Sequence, residues 1–250
     1  MGLYLISPLG GREWKLAETR VPFTYSLGSC LAWSPDSTWL AVCDWAKDSP
    51  GRLSVFLLSV DSGERRRLTW PPEDSRLGDV LPAFSPDGRT LVFSRYGSVY
   101  KADLHLLDLD EDLNPRGKPR RRTFMEQLAG ATPQSFTSDG RDIVFTAESM
   151  ANASLWRVPV SGTASPERLP FGENGSRAQL SRQGNRLAYT VWSLNMNIYR
   201  LKLPVADGPT GAAVKLIASS RWDQIPRYSP DGNRIAFVSY RSGASEIWTC

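Results

Sequence analysis

One histidine, three cysteines, two matched aspartates and two arginine runs are the residues of this 250-residue chain that could do chemistry. A Ser-His-Asp hydrolase needs an imidazole base, and only His105 could supply it. That residue lies in DLHLLDL, alternating with apolar neighbours as residues on a strand do, so packing outweighs catalysis there. No G-x-S-x-G nucleophile elbow accompanies it. Ser98–Lys101 spells SVYK, the S-x-x-K spacing in which a lysine activates a serine. That chemistry starts a helix, whereas this copy lies in a loop running towards a strand and reads as chance. Cys30, Cys43 and Cys250 are odd in number and not closely spaced, so no disulfide framework or thiolate metal site is expected. No cofactor is expected, and the chain is read as non-catalytic.

Asp79 and Asp223 each stand three residues before a proline, Pro82 and Pro226. If a repeat places them alike, they could line a channel mouth and hold a cation or a basic ligand. The competing reading is that each bonds backbone at a strand entry. Gly28, Ala131 and Gly175 hold the corresponding places, so a ring of carboxylates would be incomplete. Arg65–Arg67 and Arg120–Arg122 suggest phosphate or nucleic acid, but arginines on an outermost strand also blunt a sheet edge. Side chains alternate faces along a strand, so such a run does not present all its charge together. The edge reading is preferred, and no direct nucleic-acid binding by this segment is expected. Trp70 and the pair Arg221–Trp222 lie in connections between strands, where exposed aromatics and arginine anchor partners. With Asp79 and Asp223 they form the candidate face for a protein or small ligand.

The elements that must position these residues follow from a repeat. AWSPDSTWLAVC, AFSPDGRTLVFS and RYSPDGNRIAFVS are near copies; SFTSDGRDIVFT and QLSRQGNRLAYT are weaker ones. The residues at the Asp place of each SPDG, Asp36, Asp87, Asp139, Gln183 and Asp231, recur every 44 to 52 residues. That period is the size of a propeller blade. Proline presets φ, aspartate bonds nearby backbone and glycine supplies φ > 0, so Asp36, Asp87–Gly88, Asp139–Gly140 and Asp231–Gly232 read as turn residues rather than catalytic ones. Each turn joins a short strand ending in an aromatic to an alternating apolar strand. A third strand (LSVFLLS, DLHLLDL, SLWRVPV, NIYRLKL, EIWTC) and a short basic fourth (RRRLT, RRRTF, ERLP, VKLIA) follow.

The expected fold is therefore all-β: four-stranded antiparallel blades over residues 1–250, about five in number, within a larger ring of roughly six to eight. A partial blade covers 1–20, with repeats near 21–70, 71–124, 125–170, 171–218 and 219–250. The chain begins and ends inside blades, as an excerpt of a longer propeller would. Hydrophobic content of 41%, charged content of 22% and a net charge of +4 are ordinary for a globular protein. No apolar run approaches the roughly 20 residues of a membrane-spanning helix, and MGLYLISPLGG lacks the features of a signal peptide. A cytoplasmic location is expected, or a periplasmic one if an upstream region carries a signal or membrane helix.

The SPDG turn, the strand IAFVS after it and the RRLT-like fourth strand together resemble the TolB-like propeller (the WD40-like, PD40 repeat). More narrowly, LYLISPLGGREWKLAE, VFLLSVDSGERRRLT, SLWRVPVSG and SRQGNRLAY resemble propellers found C-terminal to a CadC-type winged-helix domain, or to a serine/threonine kinase domain, in bacteria. That resemblance implies a sensory or interaction module of a signalling or transcription-regulatory protein, with DNA binding only through a winged helix outside these residues. A stand-alone periplasmic scaffold and the substrate-gating propeller of a prolyl-oligopeptidase-type peptidase are the alternatives. TSDG, with Ser138 for proline, and SRQG, without proline or aspartate, depart from the pattern.

Overall fold

The computed structural model describes residues 2–7, 9–19, 30–98, 101–124, 130–149, 152–181, 186–191, 196–201 and 211–250. Every element among them is a β-strand, and no helix there is long and apolar enough to cross a membrane. Strands β1 (Gly2–Leu5) and β2 (Trp14–Glu18) form an antiparallel pair. Four strands then meander, each antiparallel to the last: β3 (Leu31–Trp33), β4 (Trp39–Trp45), β5 (Leu53–Ser59) and β6 (Arg65–Arg67). The pattern recurs in β7 (Gly78–Phe84), β8 (Thr90–Ser98), β9 (Lys101–Leu109) and β10 (Pro115–Arg121). It recurs again in β11 (Gly130–Phe136), β12 (Asp142–Ser149), β13 (Asn152–Pro159) and β14 (Glu167–Glu173). Strand β15 (Gly175–Leu180) pairs with β16 (Leu187–Val191), and β17 (Ile198–Arg200) with β18 (Val214–Ile217). The last sheet is β19 (Asp223–Tyr228), β20 (Ile235–Ser239) and β21 (Glu246–Thr249).

The chain divides into two compact units, Met1–Ser149 with Ala153–Val191, and Met150–Asn152 with Trp192–Cys250. In the first, the middle strands are apolar on both faces because sheets pack against both. Leu91 and Phe93 of β8 join Ala41, Val55 and Leu57 of the preceding sheet, while Val92 between them joins Phe136, Ile143 and Phe145 of the following one. Alternation with period two thus sends one strand's side chains into two successive cores. Burying a side chain the size of Phe93 contributes about 1.5–3 kcal/mol. In the second unit Ile198, Ile217, Ile235 and Phe237 make the core, flanked by Leu216 and Trp248. Outer strands β6 and β10 are arginine-rich; β10 is largely exposed and β6 mostly half-buried.

The first strands of four sheets share an irregularity. Pairing slips between Val80 and Ala83, Pro133 and Ser135, Ser176 and Gln179, and Gln224 and Arg227. Leu81, Arg177 and Ile225 sit there with φ of 57°, 52° and 55°. Such a conformation is sterically costly for a branched side chain, and a following proline disfavours it further at Leu81 and Ile225. A bulge at this place re-aims the strand entry, where Asp79 and Asp223 lie.

Candidate recognition site

The SPDG turns are built from one more residue than the Pro-Asp-Gly reading named. In the turn after β7, the Ser85 hydroxyl donates to Asp87 Oδ1 at 2.6 Å and accepts the Thr90 amide at 2.9 Å. Asp87 Oδ1 also accepts the Arg89 amide at 3.0 Å, and the Gly88 amide returns to the Ser85 carbonyl. Ser34–Asp36, Thr137–Asp139 and Ser229–Asp231 repeat the arrangement. Gly88, Gly140 and Gly232 have φ of 72°, 69° and 75°; in the first turn Ser37 takes that conformation at 63°. In the SRQG turn Ser181 still caps the Arg186 amide, although Gln183 lies outside the described residues. A serine or threonine hydroxyl is thus the acceptor in each of these turns, a signal present in the sequence as the S or T that opens every copy.

Hydrogen bonds from the serine or threonine hydroxyl, then from backbone amides, hold the carboxyls of Asp36, Asp87, Asp139 and Asp231 below the usual carboxylate range. Because these pKa values are lower folded than unfolded, the stability they contribute is present above the ordinary carboxylate pKa. It is lost as pH falls through the depressed value. Ser85→Ala removes an acceptor and a donor from a buried position and should cost about 1–3 kcal/mol in urea unfolding at pH 7. The deficit should shrink as pH is lowered through the carboxylate range; a constant deficit would show that the hydroxyl does not act through Asp87.

Asp79 and Asp223 are not surface ligands in this structure. Asp79 is 0% exposed and takes both arms of Arg95, Nε to Oδ1 at 2.6 Å and Nη2 to Oδ2 at 2.8 Å. Asp223, also buried, accepts the Ser239 hydroxyl at 2.6 Å and Arg241 Nη2 at 3.0 Å. Gly28 lies outside the described residues, and no cluster of three metal-ligating side chains occurs among the described ones. His105 stacks on Phe93 with ring centroids 5.9 Å apart, and its Nδ1–H donates to the Asp103 carbonyl at 3.2 Å. Burial, and then the Arg95 charge, push the imidazole below its ordinary pKa, so it is neutral at pH 7. Ser98 ends β8 and Lys101 opens β9, paired across a hairpin rather than along a helix.

Much of the arginine runs turns inward, although Arg120 and Arg121 stay exposed. Arg65 reaches buried Asp44 at 2.9 Å and lies over the Phe56 ring; Arg66 lies over Trp39 and bonds Asn114 and the Asp112 carbonyl. Arg122 is itself buried, donating to the carbonyls of Pro159 at 2.6 Å and Ala164 at 2.9 Å. These guanidiniums stitch outer strands to neighbouring loops, which explains the runs without a phosphate. A cleft of ≈ 650 Å³ opens between the turns of Asp36 and Asp87 and the loop Asp110–Leu113. Arg66 and Arg89 brace it against Asp112 and Glu111.

Three aromatics on the outer strands or just after them are exposed. Arg67-Leu68-Thr69-Trp70 ends the first meander and Arg121-Arg122-Thr123-Phe124 the second, while Arg168-Leu169-Pro170-Phe171 lies within β14 of the third. Trp70, Phe124 and Phe171 are 58%, 67% and 50% exposed, so each of these large side chains leaves about half or more of its surface open. Thr69 and Thr123 are fully buried, each accepting a backbone amide (Val55, Leu104) at 2.9 Å. Arg67 and Arg121 donate to the carbonyls of those threonines and lie over the aromatic that follows, 5.2 and 4.4 Å from the ring centroids. The buried threonine anchors the strand end, and the arginine holds the ring in an outward pose. Trp70 was legible in the sequence; Phe124 and Phe171 were not, although R-x-[T/P]-aromatic recurs. In the second unit, Arg221 and Trp222 lie between β18 and β19, half-buried, with Trp222 edge-on to Tyr240 at 5.8 Å.

No protein-family model matches the chain. TolB from Acinetobacter baumannii superposes with a TM-score of 0.57 at 20% identity, covering 99% of this chain and 56% of that one. The fold is that of a TolB-like β-propeller. An uncharacterized protein of Agrobacterium fabrum is 25% identical over 83% of the propeller and 68% of its own length. A tricorn protease homologue of Streptomyces coelicolor is 24% identical over 98% of the propeller. The propeller spans about a fifth of that protease homologue and little over half of the Acinetobacter TolB chain, 21% and 56%.

Proposed function

We propose that this propeller is a non-catalytic protein-recognition module of a bacterial signalling or transcription-regulatory protein. Trp70, Phe124 and Phe171, which close the same R-x-[T/P]-aromatic pattern in three successive repeats, are its anchors. The observation that carries this reading is the repeated exposure of a large ring, at Trp70 and Phe124 beside an arginine that is already bonded. Association buries such rings with little loss of side-chain freedom, and aromatic anchors dominate interface energetics. Arg221 and Trp222 are the candidate contacts of the second unit taken by itself. Asp79 and Asp223, each within its own unit, fix strand entries rather than meeting the ligand. DNA binding, in this reading, belongs to a domain outside the chain.

A photoreactive phenylalanine analogue at position 124, in the producing bacterium, is expected to crosslink a discrete partner. The triple variant Trp70→Ala, Phe124→Ala, Phe171→Ala should lose capture at least about tenfold, while Glu111→Ala in the opposite turn region leaves it unchanged. Equal capture by the triple variant would reject the aromatic surface. The similarity to the tricorn homologue supports a second reading, a substrate-admitting propeller of a peptidase. Crosslinks to extended peptides, rather than to a folded partner, would favour it.

A further inference from the structure

Cys30 and Cys43 face each other across β3 and β4. The Cys43 amide donates to the Cys30 carbonyl at 3.2 Å, continuing the register in which Leu31 pairs with Val42. Directly opposed hydrogen-bonded residues of antiparallel strands have Cα atoms about 5.5 Å apart, within the roughly 4.4–6.8 Å that a disulfide spans. Both side chains are buried in one apolar cluster with Leu53, Val80 and Leu81, and both are free thiols. Leu81, in the bulge of β7, packs in the same cluster as the two sulfurs. That bulge is one of the strained positions described above, so a costly backbone conformation places Leu81 against the sulfur pair. Hydrogen bonds from Cys43 and the Leu81 amide hold the Cys30 thiol below its ordinary pKa, while burial pushes Cys43 well up. One sulfur is therefore the better nucleophile and the other stays protonated until it is needed.

We propose that Cys30 and Cys43 are a dithiol site that closes to a reversible cross-strand disulfide by exchange with a small-molecule disulfide such as oxidised glutathione. The Cys30 thiolate attacks one glutathione sulfur, forming a mixed disulfide and expelling a glutathione thiolate. The Cys43 thiolate then attacks the Cys30 sulfur and expels the second. Two protein thiols lose two electrons and two protons, and the oxidant's sulfurs take them up as two thiols. Strand β3 makes access physical: it is three residues long and ends its sheet's strand order, so few ladder bonds oppose its local opening. The closed form would staple that end strand to β4.

The test uses the 250-residue chain carrying Cys250→Ser, which removes the exposed thiol. It is equilibrated anaerobically over a series of reduced-to-oxidised glutathione ratios, acid-quenched, denatured and alkylated. No lysine or arginine lies between Val21 and Ala46, so trypsin releases both cysteines in one peptide ending at Lys47. The expected result is a peptide lighter by two hydrogens than the dithiol and closed to alkylation, its fraction following a two-electron curve. The urea midpoint should rise as that fraction rises. A peptide that is doubly alkylated at every ratio, or that carries glutathione without closing, would overturn the proposal.

Discussion

Arg95→Leu should be the most destabilising charge deletion in this protein, costing about 3–5 kcal/mol, because it leaves a buried carboxylate without its partner. Asp79 has no exposed surface through which water could replace the guanidinium, and both of its oxygens are engaged by Arg95. The double replacement Asp79→Leu, Arg95→Leu removes both charges and should recover most of that loss, since an apolar pair of similar volume matches or exceeds a buried ion pair. Urea unfolding of the wild type, both single variants and the double variant completes the cycle. If Arg95→Leu alone is nearly neutral, Asp79 is reached by water in solution and the strand entry is not held as described. The corresponding site of the second unit sharpens the comparison. Asp223 keeps the Ser239 hydroxyl when Arg241 is replaced, so Arg241→Leu should cost less than Arg95→Leu.

Gly78→Ala comes next in size, for a reason of space rather than charge. Gly78 has φ of 95° and makes the parallel contact with Leu53 that joins the first meander to the second. A Cβ there would lie 2.1 Å from the Leu53 carbonyl oxygen and 2.6 Å from its amide nitrogen. A left-handed φ alone costs an L side chain about 1–3 kcal/mol. Collision with backbone that cannot swing aside brings the total to the order of 4 kcal/mol. Gly88→Ala supplies the control. Its φ is 72°, but the nearest atom, a Pro35 ring carbon, stands at 3.6 Å, an ordinary contact. That variant should lose only about 1 kcal/mol. Thermal or urea midpoints separate the two; equal losses would mean that conformation, and not the junction with Leu53, sets the cost.

Sequence alone determined the all-β class, the turn after each first strand and the strand order within a repeat. All three depend on neighbours within a few residues: alternation sets the strand, and Pro, Asp and Gly set the turn. The serine or threonine that caps each turn was present in every copy but needed the structure to show its bonds. The tertiary structure decided where the charged and aromatic side chains went. Asp79 meets Arg95 only because β7 and β8 pair in a register that a bulge has shifted, and bulges carry no marker in the alternation. Arg122 is buried while Arg121 beside it is exposed, because successive residues face opposite sides and only one side meets the Pro159 and Ala164 carbonyls. Phe124 and Phe171 were not singled out in the sequence, and the exposure of Phe124 follows from the buried Thr123 that anchors the chain just after β10. Cys30 and Cys43 are far too widely spaced along the chain to suggest a pair. The hairpin between them folds that separation into direct opposition, since antiparallel pairing links residues by their distance from the turn rather than from each other.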